Sequence, residues 1–317
     1  MSTETESRTV RAVEWTLQAP GRLDRAVTTL PAPTQEEVLV ATQVGAISPG
    51  TERTLVHGTN PAVPERSYPY QPGYLNVVSI EQAADRTLIG DRGVTCLGHR
   101  DYALIPYTRF IRIPFGITDE VALLGILAAD ARHAIEVAAV ERDEDCLVIG
   151  GGIMGVLTAW ELSLRTKGAV RLVENNADRR RLLKEIVFPS QVKVSDRPGR
   201  YPFHTTFDCA STSAAFQVAQ DATRAGGSVV VVADGSHDAY ILSSDFFSKG
   251  LFLGKTDSSP DLRGFLNEWF VRSDNRETLV AAAFRHEVRF DEYPQAYLKC
   301  ALSGPADQAG LLTRVLY

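Results

Sequence analysis

The rhythm of hydrophobic and polar positions changes near residue 119. Before it, short alternating or apolar runs such as Val10–Trp15, Glu37–Val44 and Tyr102–Pro106 are separated by Pro, Gly and Asp. That punctuation predicts a β-rich unit over residues 9–115. After it, Val121–Val140 is long, Ala-rich and free of Gly and Pro beyond Gly125, which predicts a helix. An apolar strand is expected at Cys146–Ile149, then a glycine cluster, a helix from Ile153 to Thr166 and a strand at Val170–Val173. Two more strands are expected at Thr205–Cys209 and Ser228–Ala233, with a helix at Ser213–Arg224 between them. Strands alternating with helices of this length imply βαβ units and a parallel sheet. From Pro260 onward the pattern gives helices at Asp261–Arg272 and Phe290–Ser303 and an apolar end, Leu311–Tyr317. That tail can return to either unit.

Composition narrows the class. The chain has 317 residues, enough for about two domains with a sizeable core. An apolar share of 44% and a charged share of 23% are those of a globular protein. A net charge of -6 argues against a dedicated nucleic-acid or membrane-surface binder. Cys96, Cys146, Cys209 and Cys300 form no CxxC pair, so neither a zinc knuckle nor a disulfide scaffold is expected. Met1–Arg8 is polar and acidic, unlike a signal peptide, and no apolar run reaches the roughly 20 residues that span a bilayer. The expectation is a cytoplasmic protein acting on a small molecule.

The sharpest local motif is Gly150-Gly151-Gly152-Ile153-Met154-Gly155. Gly150, Gly152 and Gly155 have GxGxxG spacing, and the motif follows an apolar strand and opens an apolar helix. In that context the glycines give a tight turn, close approach to a pyrophosphate and tight packing of helix on strand. The free N–H groups and positive dipole end of the helix suit a diphosphate. Glu174 follows the next strand, where a carboxylate accepts hydrogen bonds from the adenosine ribose and repels a 2′-phosphate. NAD is therefore expected. Arg179, Arg180 and Arg181 keep NADP open, since an arginine near this point can bind the 2′-phosphate; inside a helix they are instead a solvated face.

Several longer runs then resemble the medium-chain dehydrogenase/reductase superfamily. "VRAVEWTLQAPGRLDRAVTTLPAPTQEEVLVATQVGAISPGTE" is similar to the opening of its GroES-like catalytic domain, and "GDRGVTC…HRDYALIP" to its "GDRV…HAEYVVVP" stretch. "FDCASTSAAFQVAQDATRAGGSVVVVA" resembles the nicotinamide-side strands, and "FRHEVRFDEYPQAY" a segment that returns to the catalytic domain. The resemblance implies a GroES-like domain over 1–124, a Rossmann cofactor domain over 125–259 and a return segment over 260–317. It extends the expected cofactor contacts to Ile153, Met154, Arg179, Ser211 and Ala233. It also implies a homodimer through edge pairing of cofactor-domain sheets, with Ser228–Ala233 and Gly250–Gly254 as suitable strands.

The departures bear on mechanism. Zinc members carry Cys-Gly-Ser/Thr-Asp and Gly-His-Glu runs that supply metal ligands. This chain reads Ser48-Pro49-Gly50-Thr51-Glu52 and Gly73-Tyr74-Leu75 instead, and lacks the four-cysteine structural lobe. Hydroxyls bind Zn²⁺ poorly, so no metal is expected. The "ISPGTE" and "QPGYLN" signatures look most like the zinc-less bacteriochlorophyllide a dehydrogenase branch, which oxidises a secondary alcohol to a ketone.

Without a metal, a carbonyl–alcohol interconversion needs a side-chain proton relay. Thr51 matches the family's substrate-binding hydroxyl and Glu52 its neighbouring carboxylate, elsewhere chiefly structural. Ser48 stands where the thiolate was, as a substrate contact or a turn hydroxyl. Tyr74 takes the lost histidine's place, as a donor or as filler. His99 has the pKa range of a proton shuttle. Asp130 either faces the nicotinamide or makes a structural hydrogen bond. His57 is a pocket candidate, and His133 a packing residue near the cofactor. The expected activity is zinc-independent, NAD(P)-dependent interconversion of a secondary alcohol and a ketone. The alternatives are an NADPH-dependent enone or quinone reductase, and a nucleotide-binding protein without turnover.

Overall fold

A computed structural model describes residues 9–60, 63, 67–199, 202–232, 239–256, 258–272, 274–302 and 311–317. The chain opens with a hairpin of β1 (Val10–Ala19) and β2 (Arg22–Leu30), which the Leu17–Tyr70 and Glu14–Arg100 bridges tie to the rest. β3 (Glu37–Ile47) then leads into α1 (Pro49–His57). β4 (Leu75–Ala83), β5 (Arg92–Thr95), β6 (Tyr102–Pro106) and β7 (Ile111–Arg112) complete the first unit. β3 is buried along almost its whole length because it pairs with three neighbours, β4, β6 and, from the far end of the chain, β15. Its run Val38–Ala41 therefore reads as apolar rather than alternating.

α2 (Asp119–Val137) links this unit to the next. Thr118 caps it by accepting from the Val121 N–H, and acidic Asp119 and Glu120 face its positive end. Its alanines and Gly125 let neighbours come close: a Cβ at Gly125 would lie 2.6 Å from Leu266 Cδ2 and 2.7 Å from Trp269 Cδ1.

The second unit runs β8 (Cys146–Ile149), α3 (Ile153–Arg165), β9 (Val170–Val173), α4 (Ala177–Leu183), β10 (Val192–Ser195), β11 (Phe203–Asp208), α5 (Ser213–Ala222), β12 (Thr223–Val231), α6 (Ser244–Lys249) and β13 (Phe252–Lys255). Its strands are all parallel, in the order β10-β9-β8-β11-β12-β13. This is a doubly wound sheet whose order reverses between β8 and β11, where a crevice opens at the strand ends. α7 (Leu262–Val271) packs on α2, with α8 (Glu277–Ala283) beside it. The chain then returns to the first sheet: β14 (His286–Arg289) pairs with β15 (Thr313–Leu316), and β15 with β3, with α9 (Tyr293–Leu302) between them.

The fold is thus α/β, a GroES-like β-rich unit joined to a Rossmann unit. One apolar core spans both, joining Leu75, Val77 and Val94 to Val148, Leu172 and Val230 through α2. The expected boundary at 124/125 falls inside that helix. No helix among the described residues is long and apolar enough to cross a membrane.

Candidate active site

A single cavity of about 1170 Å³ runs along the crevice between the two units. One end is the glycine loop. Gly150 has φ +102°, a conformation that side-chain-bearing residues rarely adopt, and a Cβ on Gly155 would stand 1.8 Å from the Gly150 carbonyl oxygen. Gly152 is the N-cap of α3 without a side-chain cap, and a Cβ there would meet nothing within 4 Å. The loop therefore turns tightly on its inner side and leaves backbone N–H groups open toward the cavity. This cradle fits the diphosphate of a dinucleotide. Gly150, Gly152, Ile153 and Met154 all line it.

Glu174 sits beside the loop, nearly buried. Its Oε2 accepts from the Gly151 N–H at 2.9 Å and its Oε1 from the Asn176 N–H at 2.7 Å. Arg179 Nη1 lies 3.5 Å from the same carboxylate. Arg180 turns away to donate to the carbonyls of Glu174 and Asn175, and Arg181 pairs with Asp178 on the surface. Of the three arginines, Arg179 alone reaches the cavity, joined by Arg197 beyond β10, which the sequence reading missed. Ser211, with φ +56°, lines the opposite wall next to Thr212, the N-cap of α5. Ala233 lies outside the described residues.

The other end of the cavity is lined with hydroxyls. Pro49 opens α1 at a position where its missing N–H costs nothing. The preceding Ser48 is buried and makes no cap bond. Thr51 Oγ1 and the Tyr74 hydroxyl are 3.4 Å apart, and Ser48 also acts on Tyr74 as a hydrogen-bond partner. Burial, first of all, holds the Tyr74 phenol protonated well above its ordinary range. Asp130 and Cys96 share this end, and burial pushes the Cys96 thiol up to about 11. Asp130 Oδ1 accepts from the Ser259 N–H at 2.7 Å, holding the loop before α7 against α2.

Glu52 points away from the cavity and is completely buried, with its pKa raised to about 7 by desolvation, partly offset by the Tyr297 hydroxyl. His99 does not line the cavity. It is fully buried, its Nδ1 is 2.8 Å from the Tyr317 hydroxyl, and its ring packs 4.4 Å from that of Tyr293. Desolvation lowers its pKa to about 3, so it stays neutral at physiological pH. His57 is exposed, with Nδ1 2.7 Å from the Arg53 carbonyl, and His133 lies 4.0 Å from Glu136; neither lines the cavity. Cys96, Cys146 and Cys209 are free thiols.

The donor set at the hydroxyl end fits a zinc ion poorly, since Ser48 and Tyr74 offer protonated oxygens. Among the described residues no group of three His, Cys, Asp or Glu side chains is placed to hold a metal.

The comparisons bear on the fold. No family model matches the chain. The L-idonate 5-dehydrogenase of Escherichia coli superposes with a TM-score of 0.82, covering 99% of this chain and 100% of that one at 12% identity. A putative zinc-binding dehydrogenase from Sinorhizobium meliloti, bound to NADP, gives 0.80 over 97% and 100% at 17% identity. These likenesses show the fold: the chain is built like these dehydrogenases. It is 32% identical over 185 residues to the 2-desacetyl-2-hydroxyethyl bacteriochlorophyllide A dehydrogenase of Cereibacter sphaeroides. That match covers 52% of this chain and 57% of the relative, so the chain spans little more than half the length of that relative.

Proposed function

We propose that this chain is an NAD(P)-dependent oxidoreductase that interconverts a secondary alcohol and a ketone without a catalytic metal. One observation carries the reading: a single cavity joins the glycine loop and Glu174 at one end to Ser48, Thr51 and Tyr74 at the other. The bound nicotinamide would supply or take the hydride. The protein's part is to orient the substrate and manage one proton. Thr51 and Tyr74 hydrogen-bond the substrate oxygen, and Ser48 braces them in place of a metal. Gly150, Gly152, Ile153, Met154, Gly155 and Ser211 hold the cofactor, with Ala233 following β12. Residues 1–124 form the catalytic domain, 125–259 the cofactor domain and 260–317 the return segment, with α2 shared. In this reading the enzyme acts in the cytoplasm.

Glu174 favours NADH. Arg179 and Arg197 on the same wall support a second reading, in which NADPH is bound and hydride is added to an enone or quinone.

The deciding experiment is titration of chelator-treated protein with NADH and NADPH, following the fluorescence of the bound nicotinamide. NADH is expected to bind more tightly, and Glu174→Ala to weaken it roughly 10- to 100-fold through lost charge-assisted hydrogen bonds. Preference for NADPH would move the substrate search to enones and quinones. Activity lost in chelator and restored by Zn²⁺ would rule out the metal-free mechanism.

A further inference from the structure

Among the described residues six charged side chains line the cavity, and five of them are already engaged. Glu174 accepts from the Gly151 and Asn176 N–H groups, and Arg179 lies against it. Arg197 is 3.4 Å from Asp196, and Asp130 accepts from the Ser259 N–H. The sixth is Arg53, on α1. Among the described residues its guanidinium makes neither an ion pair nor a hydrogen bond.

An arginine in open water is an ordinary solvated group, but this one stands on a helix that is fixed against the site. Glu52, Thr54, Leu55 and Val56 are buried along α1, and Gly58 ends it in the left-handed conformation. The Tyr68 hydroxyl donates to the Leu55 carbonyl at 2.5 Å, and Asn60 Nδ2 to Thr54 Oγ1 at 2.8 Å. Thr54 Oγ1 in turn donates to the Thr51 carbonyl at 2.8 Å. Pro49, Gly50, Thr51 and Arg53 of this helix all line the cavity. Arg53 stands one turn beyond Pro49 on the same stripe. Around the helix Gly50 falls between Arg53 and Thr51, and a Cβ on Gly50 would meet nothing within 4 Å. Open space therefore joins the guanidinium to the Thr51 hydroxyl, which lies only about 3 Å away along the helix axis at 1.5 Å per residue. Leu55, Val63, Ile126 and Leu127 add apolar wall at this end, and low-dielectric walls strengthen the pull of a charge on its ligand.

We propose that Arg53 is the anion receptor of the substrate end, so that the ketone or alcohol taken here carries a carboxylate or phosphate group. The guanidinium binds that group while Thr51 and Tyr74 hold the reacting oxygen, and the apolar body between them packs on Leu55, Val63, Ile126 and Leu127. This rests on the ketone-reducing reading above and narrows its substrate class to acids. A guanidinium offers paired N–H donors that match either anion. A neutral ketone of the same shape leaves Arg53 in water and gains nothing from it. Arg53 touches the substrate away from the reacting atoms, so it sets specificity and takes no part in the transfer of hydride or proton.

The test uses three ketones of one shape: 4-acetylbenzoate, 4-acetylphenyl phosphate and the uncharged methyl 4-acetylbenzoate. In the wild type kcat/KM for one of the anions should exceed that for the methyl ester by roughly 10- to 100-fold, mostly through KM. The anion with the larger ratio identifies the group. Arg53→Gln should bring that ratio close to one, and Arg53→Lys, a point charge without the fork, should restore part of it. Equal ratios in the wild type and Arg53→Gln overturn the proposal. So does a loss of NADH affinity in Arg53→Gln as large as the loss for the anion, which would assign Arg53 to the cofactor's diphosphate. Calorimetric titration of the NAD-loaded protein with each anion gives a readout without turnover. Binding that depends on Arg53, with none of the three ketones reduced, removes the oxidoreductase reading and keeps the anion site. Binding of neither anion removes the site.

Discussion

The proton that Glu52 holds when folded links stability to pH. Its pKa rises from 4.5 to about 7 on burial, so the folded protein binds this proton more tightly than the unfolded chain does. The sign follows directly. The contribution is fully present below 4.5 and is lost as pH rises through about 7. A shift of this size corresponds to about 3 kcal/mol. Denaturant melts at about pH 5 and about pH 8 should show the wild type losing stability over that interval, and Glu52→Gln losing much less. Equal slopes for the two proteins would mean that Glu52 is ionised when folded. The neighbouring residues show how far single positions were legible. Ser48, Thr51 and Tyr74 stand out because they fill places where ligand residues are expected, and the fold brings all three to one cavity wall. His99 had the right chemistry but the wrong depth: a Cβ at Gly73 would lie 2.2 Å from its ring, so glycine lets the imidazole pack inside, facing Tyr317. The depth of Glu52 carried no local signal, since Tyr297 reaches it on a helix from the far end of the chain.

Among the elements, strong periodicity was readable and backbone exceptions were not. The strands Tyr102–Pro106, Cys146–Ile149 and Val170–Val173 lie at the expected residues, because apolar runs bounded by turn residues leave little choice. α1 escaped notice because Pro49-Gly50 reads as a turn, whereas proline is well suited to a first helical position. The helix expected through Arg224 stops at Ala222, where the Thr223 hydroxyl bonds to the Ala219 carbonyl at 2.7 Å and Thr206 at 2.8 Å and starts β12 instead. The joint between α2, α3 and α7 was also invisible, since it is built from charges. Glu161 is fully buried on α3, and its two oxygens meet Arg132 at 2.9 Å and Arg272 at 2.5 Å. Arg272 in turn lies 5.1 Å from the Phe265 ring centre, and Arg276 4.0 Å from that of Trp269. Removing one partner of such a pair strands the others in a dry site. Glu161→Ala should therefore destabilise the fold by roughly 3–5 kcal/mol in equilibrium unfolding. A loss below about 1 kcal/mol would show the arginines to be solvated, like surface pairs.

For the whole molecule, the open question is what covers the end of the Rossmann sheet. β13 has β12 on one side and, among the described residues, no strand on the other. Its Phe252 is 67% exposed and Leu253 48%, and Phe247 on the preceding helix is 70% exposed. An apolar edge strand in water is an invitation to pair, and most proteins blunt it with charge or cover it. Lys255, at its far end, is the charged residue on this strand. Pairing of two β13 strands about a twofold axis would extend the sheet across both copies and bury the aromatic residues together. The crevice between β8 and β11 lies inside the sheet, so cofactor binding and dimerisation should be separable. Phe252→Glu puts a charge into the centre of that contact, and loss of a central aromatic anchor costs about 2 kcal/mol or more, a shift in dimer dissociation of roughly 30-fold. Light scattering should then give twice the chain mass for the wild type at micromolar concentration, and a single chain mass for the variant with NADH affinity unchanged. A wild type that scatters as a monomer would remove the dimer and leave Phe252 and Leu253 as an exposed edge to be explained by another partner.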